Sequence, residues 1–91
     1  MRELPSDVVA YKKTPVFTKQ SVPSGLLKAH RTKKGTWGRI VVLQGRLEYQ
    51  IEEPVEEVLV LVAGQVGIIE PAMSHAVRPM GDVEFYVEFL K

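Results

Sequence analysis

The chemistry this 91-residue chain can carry rests on two histidines, His30 and His75, because it has no cysteine. Neutral imidazole is the commonest ligand for zinc and similar divalent ions. Two rings delivered by different strands could hold such an ion while waters or a carboxylate complete its shell. His30 and His75 are therefore the candidate metal ligands, with a divalent metal ion such as zinc as the candidate cofactor. The competing reading makes both of them ordinary polar side chains of a pocket or a surface. Glu88 could serve as a third ligand, but it shares parity with Glu84 and Tyr86, opposite Phe85, Val87 and Phe89, so alternation turns it away from the core. Ser74 precedes His75 without forming a catalytic dyad, since adjacent strand residues point to opposite faces and no acid is placed to orient the ring. No catalytic residue is assigned.

Two further residues could contact a small ligand. Trp37 offers a stacking wall, although a lone tryptophan beside a turn more often serves packing. Gly38 beside it would let a ligand or another backbone come close. Arg39 could bind an anion, although a strand arginine is more often solvated or ion-paired.

The elements that must position these side chains are strands. No segment keeps an apolar period of 3.6 residues, and strand patterns recur between Pro, Gly and charged clusters. Tyr11 to Thr18 reads as an edge strand, because Pro15 cannot donate to a ladder. Leu27 and Ala29 alternate with Lys28 and His30 along an extended segment. Trp37 to Leu43 and Arg46 to Ile51 flank Gln44-Gly45, which predicts a tight hairpin, and Leu47, Tyr49 and Ile51 share one face of the second strand. The continuous apolar run Val58 to Val62 predicts a strand buried on both sides. Pro79 to Asp82 predicts a turn, and Val83, Phe85, Val87 and Phe89 form the apolar face of a final strand. Some eight short antiparallel strands with no crossover helix must close or sandwich, which predicts a small barrel or jelly roll.

The chain is sized for one domain over residues 1–91, and its 45% hydrophobic and 25% charged residues match a folded globular module. A net charge of +1 gives no global field for nucleic acid or an anionic membrane. The basic clusters Lys12-Lys13 and Arg31 to Lys34 read as turn residues and as guards of an edge strand, not as a nucleic-acid surface. The absence of cysteine, of a signal-peptide core and of a membrane-length apolar run leads to the expectation of a soluble cytoplasmic protein. A small core and exposed edges predict a homodimer, with the N-terminal strand added to its neighbour's sheet.

Two stretches resemble a known family. GTWGRIVVLQGRLEY, Gly35 to Tyr49, resembles the Gly-Thr-Trp-Gly, basic, apolar-strand and Leu-x-Gly pattern of the cupin superfamily, and more narrowly of the small cupin-like domains of the tellurite-resistance protein B type. EPAMSHAV, Glu70 to Val77, resembles the proline-led turn before the second-motif histidine, and YKKTPVFTKQSVPSGLLKAH, Tyr11 to His30, looks like the family's opening. The resemblance implies an all-β double-stranded β-helix (jelly-roll) barrel. It also implies a metal centre of three histidines and a glutamate, from which this chain departs: His75 matches the second-motif histidine, His30 lies near the start of the first motif, and the glutamate position falls near Gly38. In larger relatives a methyltransferase domain that uses S-adenosylmethionine follows this module, and 91 residues leave no room for its βαβ unit. The expected function is a small binding module holding a divalent metal or a small ligand, with a role in tellurite or stress resistance. The rival classes are a minimal metal-dependent enzyme, which needs a third protein ligand and an open coordination position, and a structural or regulatory dimerisation domain.

Overall fold

Residues 37 to 51 alternate apolar and polar side chains, but the parity of the apolar set changes midway: Ile40 and Val42 are buried, then Leu47, Tyr49 and Ile51. A single straight strand would send one set to solvent. The computed structural model, which describes residues 1–91, shows how both sets reach one core. Strand β2 (Trp37–Ile51) runs unbroken through Gln44-Gly45, and irregular register with its neighbour between Val42 and Leu47 restores the buried face. Gly45 does adopt a positive φ of 81°, but it forms a bulge and not the predicted hairpin. A left-handed glycine serves either purpose, and the distinction lies in the partner strand.

That partner is β5 (His75–Leu90), which pairs antiparallel with β2 from Trp37↔Leu90 to Ile51↔His75. The predicted turn at Pro79 to Asp82 lies inside β5 as a second irregularity, with Gly81 at φ 85°. Opposite Gly45 the two backbones approach so closely that a Cβ there would lie 2.1 Å from the Asp82 carbonyl oxygen. The expected eight short strands are therefore five, two of them long and bent at bulges.

On its other side β2 pairs with β4 (Val66–Ile69) through residues 38–41 and with β3 (Glu57–Val62) through residues 46–51. Strand β1 (Ala10–Lys13) pairs with β5, giving the order β1-β5-β2-β3 with β4 beside β2. The sheet is antiparallel and all-β, with one short 3₁₀ helix at Ser24–Leu27, and its hydrogen-bond ladder does not close into the expected barrel. Past β1 the chain continues along the same edge of β5: Thr14 N donates to Val87 O at 2.9 Å and Phe17 N to Phe85 O at 2.6 Å, with Pro15 between them. The predicted edge segment is thus present, and it is added to this chain's own sheet.

One side of the sheet carries the core, in which Ile40, Leu47, Tyr49 and Phe85 are fully buried. Strand β3 departs from expectation. Leu61 is buried, but Val58, Val60 and Val62 are exposed, because they share the opposite face of β3 and nothing packs on that face. The apolar run alone does not reveal that exposure. No helix is long and apolar enough to cross a membrane.

Candidate functional site

His30 and His75 meet through a backbone bridge. His30 N donates to His75 O at 2.7 Å and His75 N to His30 O at 2.9 Å, so the two residues stand directly opposite each other and project to the same face. The segments leading to them bend sharply. Ala29 has φ 37° and Ala72 has φ 59°, both in the left-handed region that costs a residue with a Cβ. The extended alternation expected from Leu27 to His30 is replaced by the 3₁₀ turn and this bend.

The rings lie edge to face with centroids 5.2 Å apart, and His30 Nδ1 is 3.4 Å from His75 Nε2. Which nitrogen of His75 carries the proton follows from its other partner. Nδ1 lies 3.0 Å from the Met73 carbonyl, which can only accept, so Nδ1 bears hydrogen and Nε2 turns its lone pair toward His30. His75 is 1% exposed, and its proton affinity is lowered. Burial is the main cause, opposed by the Met73 carbonyl and reinforced by any charge on His30. The Tyr49 ring packs 6.1 Å from the His75 ring, and its hydroxyl donates to the Ile68 carbonyl at 2.7 Å; burial pushes that phenol's pKa up.

The pair opens into a pocket of about 220 Å³ walled by Phe17, Leu26, Ile40, Ile69, Val87 and Phe89, among others. Two other hydroxyls line it, and both are engaged: Thr14 Oγ1 donates to Pro15 O and accepts from Val87 N, while Thr32 Oγ1 faces Glu70 O and accepts from Ala72 N. The imidazoles are the polar groups the pocket presents to an occupant.

Trp37 and Arg39 lie elsewhere. Neither lines this pocket. Trp37 is half-buried with the Arg2 guanidinium 5.8 Å from its ring centroid, and Arg39 donates to Glu88 across the β2–β5 ladder at 2.9 Å. That pair accounts for Glu88, which faces away from the histidines as its parity implies. Gly38 packs so tightly that a Cβ would lie 2.9 Å from Ile69 Cδ1. Ser74 Oγ donates to Glu52 at 2.6 Å and takes no part with His75. No third histidine, carboxylate or thiolate joins the pair.

The fit to a metal ion can be judged on geometry. Two imidazole nitrogens on a tetrahedral zinc stand about 3.3 Å apart, given zinc–nitrogen bonds near 2.0–2.1 Å. The observed 3.4 Å matches that spacing. The bond from His75 Nδ1 to a backbone carbonyl is the outer-shell support that metal-bound histidines use to fix tautomer and ring orientation. His30 would have to move its proton to Nε2. With that proton moved, His30 and His75 would supply two ligands at a spacing an ion accepts, and the rest of its shell would have to come from water or a bound ligand.

Sequence reasoning identified the histidine pair but not its surroundings. The walls at Phe17, Leu26 and Phe89 come from segments that meet only in the fold, and Lys12 and Lys33, which the sequence pattern assigns to an edge strand and a turn, line an adjoining groove.

The chain matches known proteins over most of its length. A family model described as TehB-like domain covers residues 12–87. A probable S-adenosyl-L-methionine-dependent methyltransferase TehB of Haemophilus influenzae (strain Rd) is 32% identical over 81 residues, which cover 85% of this chain and 28% of that protein. The chain thus spans little more than a quarter of that relative's length. The crystal structure of TehB from Haemophilus influenzae superposes with a TM-score of 0.84 at 29% identity, covering 93% of this chain and 32% of that one. A structural-genomics crystal structure of a protein from Escherichia coli K12 gives a TM-score of 0.88 at 27% identity, covering 100% and 97% of the two chains.

Proposed function

The chain belongs to the TehB-like domain family, and from that premise we propose that it is a cupin-like binding module in which His30 and His75 hold a divalent metal ion at the end of an apolar pocket. The carrying observation is the 3.4 Å approach of His30 Nδ1 to His75 Nε2, with the other His75 nitrogen anchored on the Met73 carbonyl. The ion would supply Lewis acidity and a charge for a small ligand to meet. The protein's own part is to hold two neutral imidazoles at ligand spacing and to line the approach with apolar side chains.

Binding is preferred over catalysis because a redox-active two-histidine site also needs a carboxylate. The carboxylates of the adjoining loop are engaged, Glu52 by Ser74 and Glu53 by Arg31 and the Ser74 amide. Within the family we place the module in tellurite or stress resistance, acting in the cytoplasm as a homodimer. Methyl transfer, which the TehB name carries, is not part of the proposal, since this all-β chain contains no βαβ unit for the cofactor.

The test is calorimetric titration of tag-free protein with zinc, with elemental analysis of the product. One ion per chain is expected for the wild type, and its loss in both His30→Ala and His75→Ala. Retention of the ion by both variants would refute the assignment.

A further inference from the structure

A second cavity adjoins the histidine pocket. It is a groove of about 380 Å³ that shares His30, Thr32 and Phe89 with the pocket, so the two meet at His30. Its character is opposite. Lys12, Arg31, Lys33 and Lys91 line it together with Tyr11, and no acidic side chain does. In a chain whose net charge is only +1, four cations around one groove are a local concentration and not a reflection of overall composition.

The four cations differ in availability. Arg31 is held by Glu53 and by the Ala72 carbonyl, and Lys91 lies over the Tyr11 ring at 4.5 Å. Lys12 and Lys33 form no ion pair. Lys12 comes from β1, and Lys33 from the loop after His30, so the two unpaired ammonium groups reach the groove from different segments. His30 stands where groove and pocket join, with its Nδ1 turned to His75.

We propose that pocket and groove form one site for a small organic anion with a short apolar tail. The carboxylate or phosphate-ester head sits beside Lys12 and Lys33, and the tail lies against Phe17, Leu26 and Val87. The pocket alone would take any small apolar molecule, and the groove alone would take any anion. Their junction selects the molecule that is both, because the ammonium groups contribute charge-assisted bonds while the walls remove the tail from water. This inference deepens the binding-module reading and rests on it for the pocket, but it does not require the metal.

Calorimetry or amide chemical-shift titration of EDTA-treated protein with defined probes separates the two ideas. From acetate through butyrate to hexanoate, affinity should rise by about fourfold per added CH₂ until the pocket is full. 1-Hexanol, which has the tail without the charge, should bind about tenfold more weakly than hexanoate. Hexyl phosphate beside hexanoate shows which head the groove favours, and inorganic phosphate should bind more weakly than the hexyl ester. Both lysines are exposed, so a Lys12→Gln, Lys33→Gln double variant should fold normally, lose about tenfold in hexanoate affinity and keep its hexanol affinity. Equal binding of hexanol and hexanoate, equal binding of phosphate and hexyl phosphate, or an unaffected double variant would each overturn the proposal. Zinc binding without hexanoate binding would sink this inference alone, and hexanoate binding without zinc binding would sink the metal reading alone.

Discussion

Acid should destabilise the metal-free protein through His75. The ring is buried against Tyr49 and the Met73 carbonyl, so its folded-state pKa lies below the usual value near 6.5 that it regains on unfolding. Between those two values the unfolded chain binds a proton that the folded chain refuses. Stability therefore falls as pH drops below about 6.5 and is insensitive to this group above it. If the folded ring stays neutral throughout, the loss between about pH 7 and about pH 5.5 is at most roughly 1.2 kcal/mol. The perturbation that isolates it is His75→Asn, whose amide can still donate toward the Met73 carbonyl but does not titrate. Urea unfolding in EDTA, followed by Trp37 fluorescence at a series of pH values, gives both stabilities. The wild type should lose up to about 1 kcal/mol more than the variant across that interval. Lowered carboxylates such as Glu48 and Glu53 act in the same direction but cancel in the difference. A wild type that holds or gains stability relative to the variant on acidification would refute the burial argument.

Three other substitutions test the frame around the site. Gly45→Ala combines a positive φ with a Cβ on the Asp82 carbonyl, so it should cost about 3 kcal/mol or more in urea unfolding, or prevent folding. Tyr49→Phe leaves the buried Ile68 carbonyl without its donor and should cost about 1–3 kcal/mol by the same measurement. Arg39→Ala removes a cross-strand ion pair that is partly exposed, so it should cost less than about 1 kcal/mol and leave zinc titration unchanged.

The sequence carries the strand content and the histidine pair clearly and the topology poorly, for physical reasons. Alternation at Leu47, Tyr49 and Ile51 and at Val83, Phe85 and Val87 reports burial on one face, and those residues are buried. Gly45 reports a left-handed backbone, but whether that backbone reverses the chain or bulges a continuing strand depends on β5, contributed from more than thirty positions away. Val58 to Val62 reports β-propensity without saying that one face would be left open. The histidines are recognisable because they are the only two in the chain. Their bridge depends on left-handed Ala29 and Ala72, residues whose type gives no hint of that conformation. As isolated residues Arg39 and Trp37 suggest ligand contact, but in the fold Arg39 is paired with Glu88 and Trp37 packs against Arg2, neighbours that only the fold supplies.

Long-range proton–nitrogen NMR of the imidazoles during zinc titration reads the proposed centre atom by atom. Coordination shifts are expected at His30 Nδ1 and His75 Nε2 together, saturating at one ion per chain, with His75 Nδ1 remaining protonated toward Met73. Shifts confined to one ring, or the absence of any shift at His75 Nε2 when zinc is in excess, would contradict a shared ligand site.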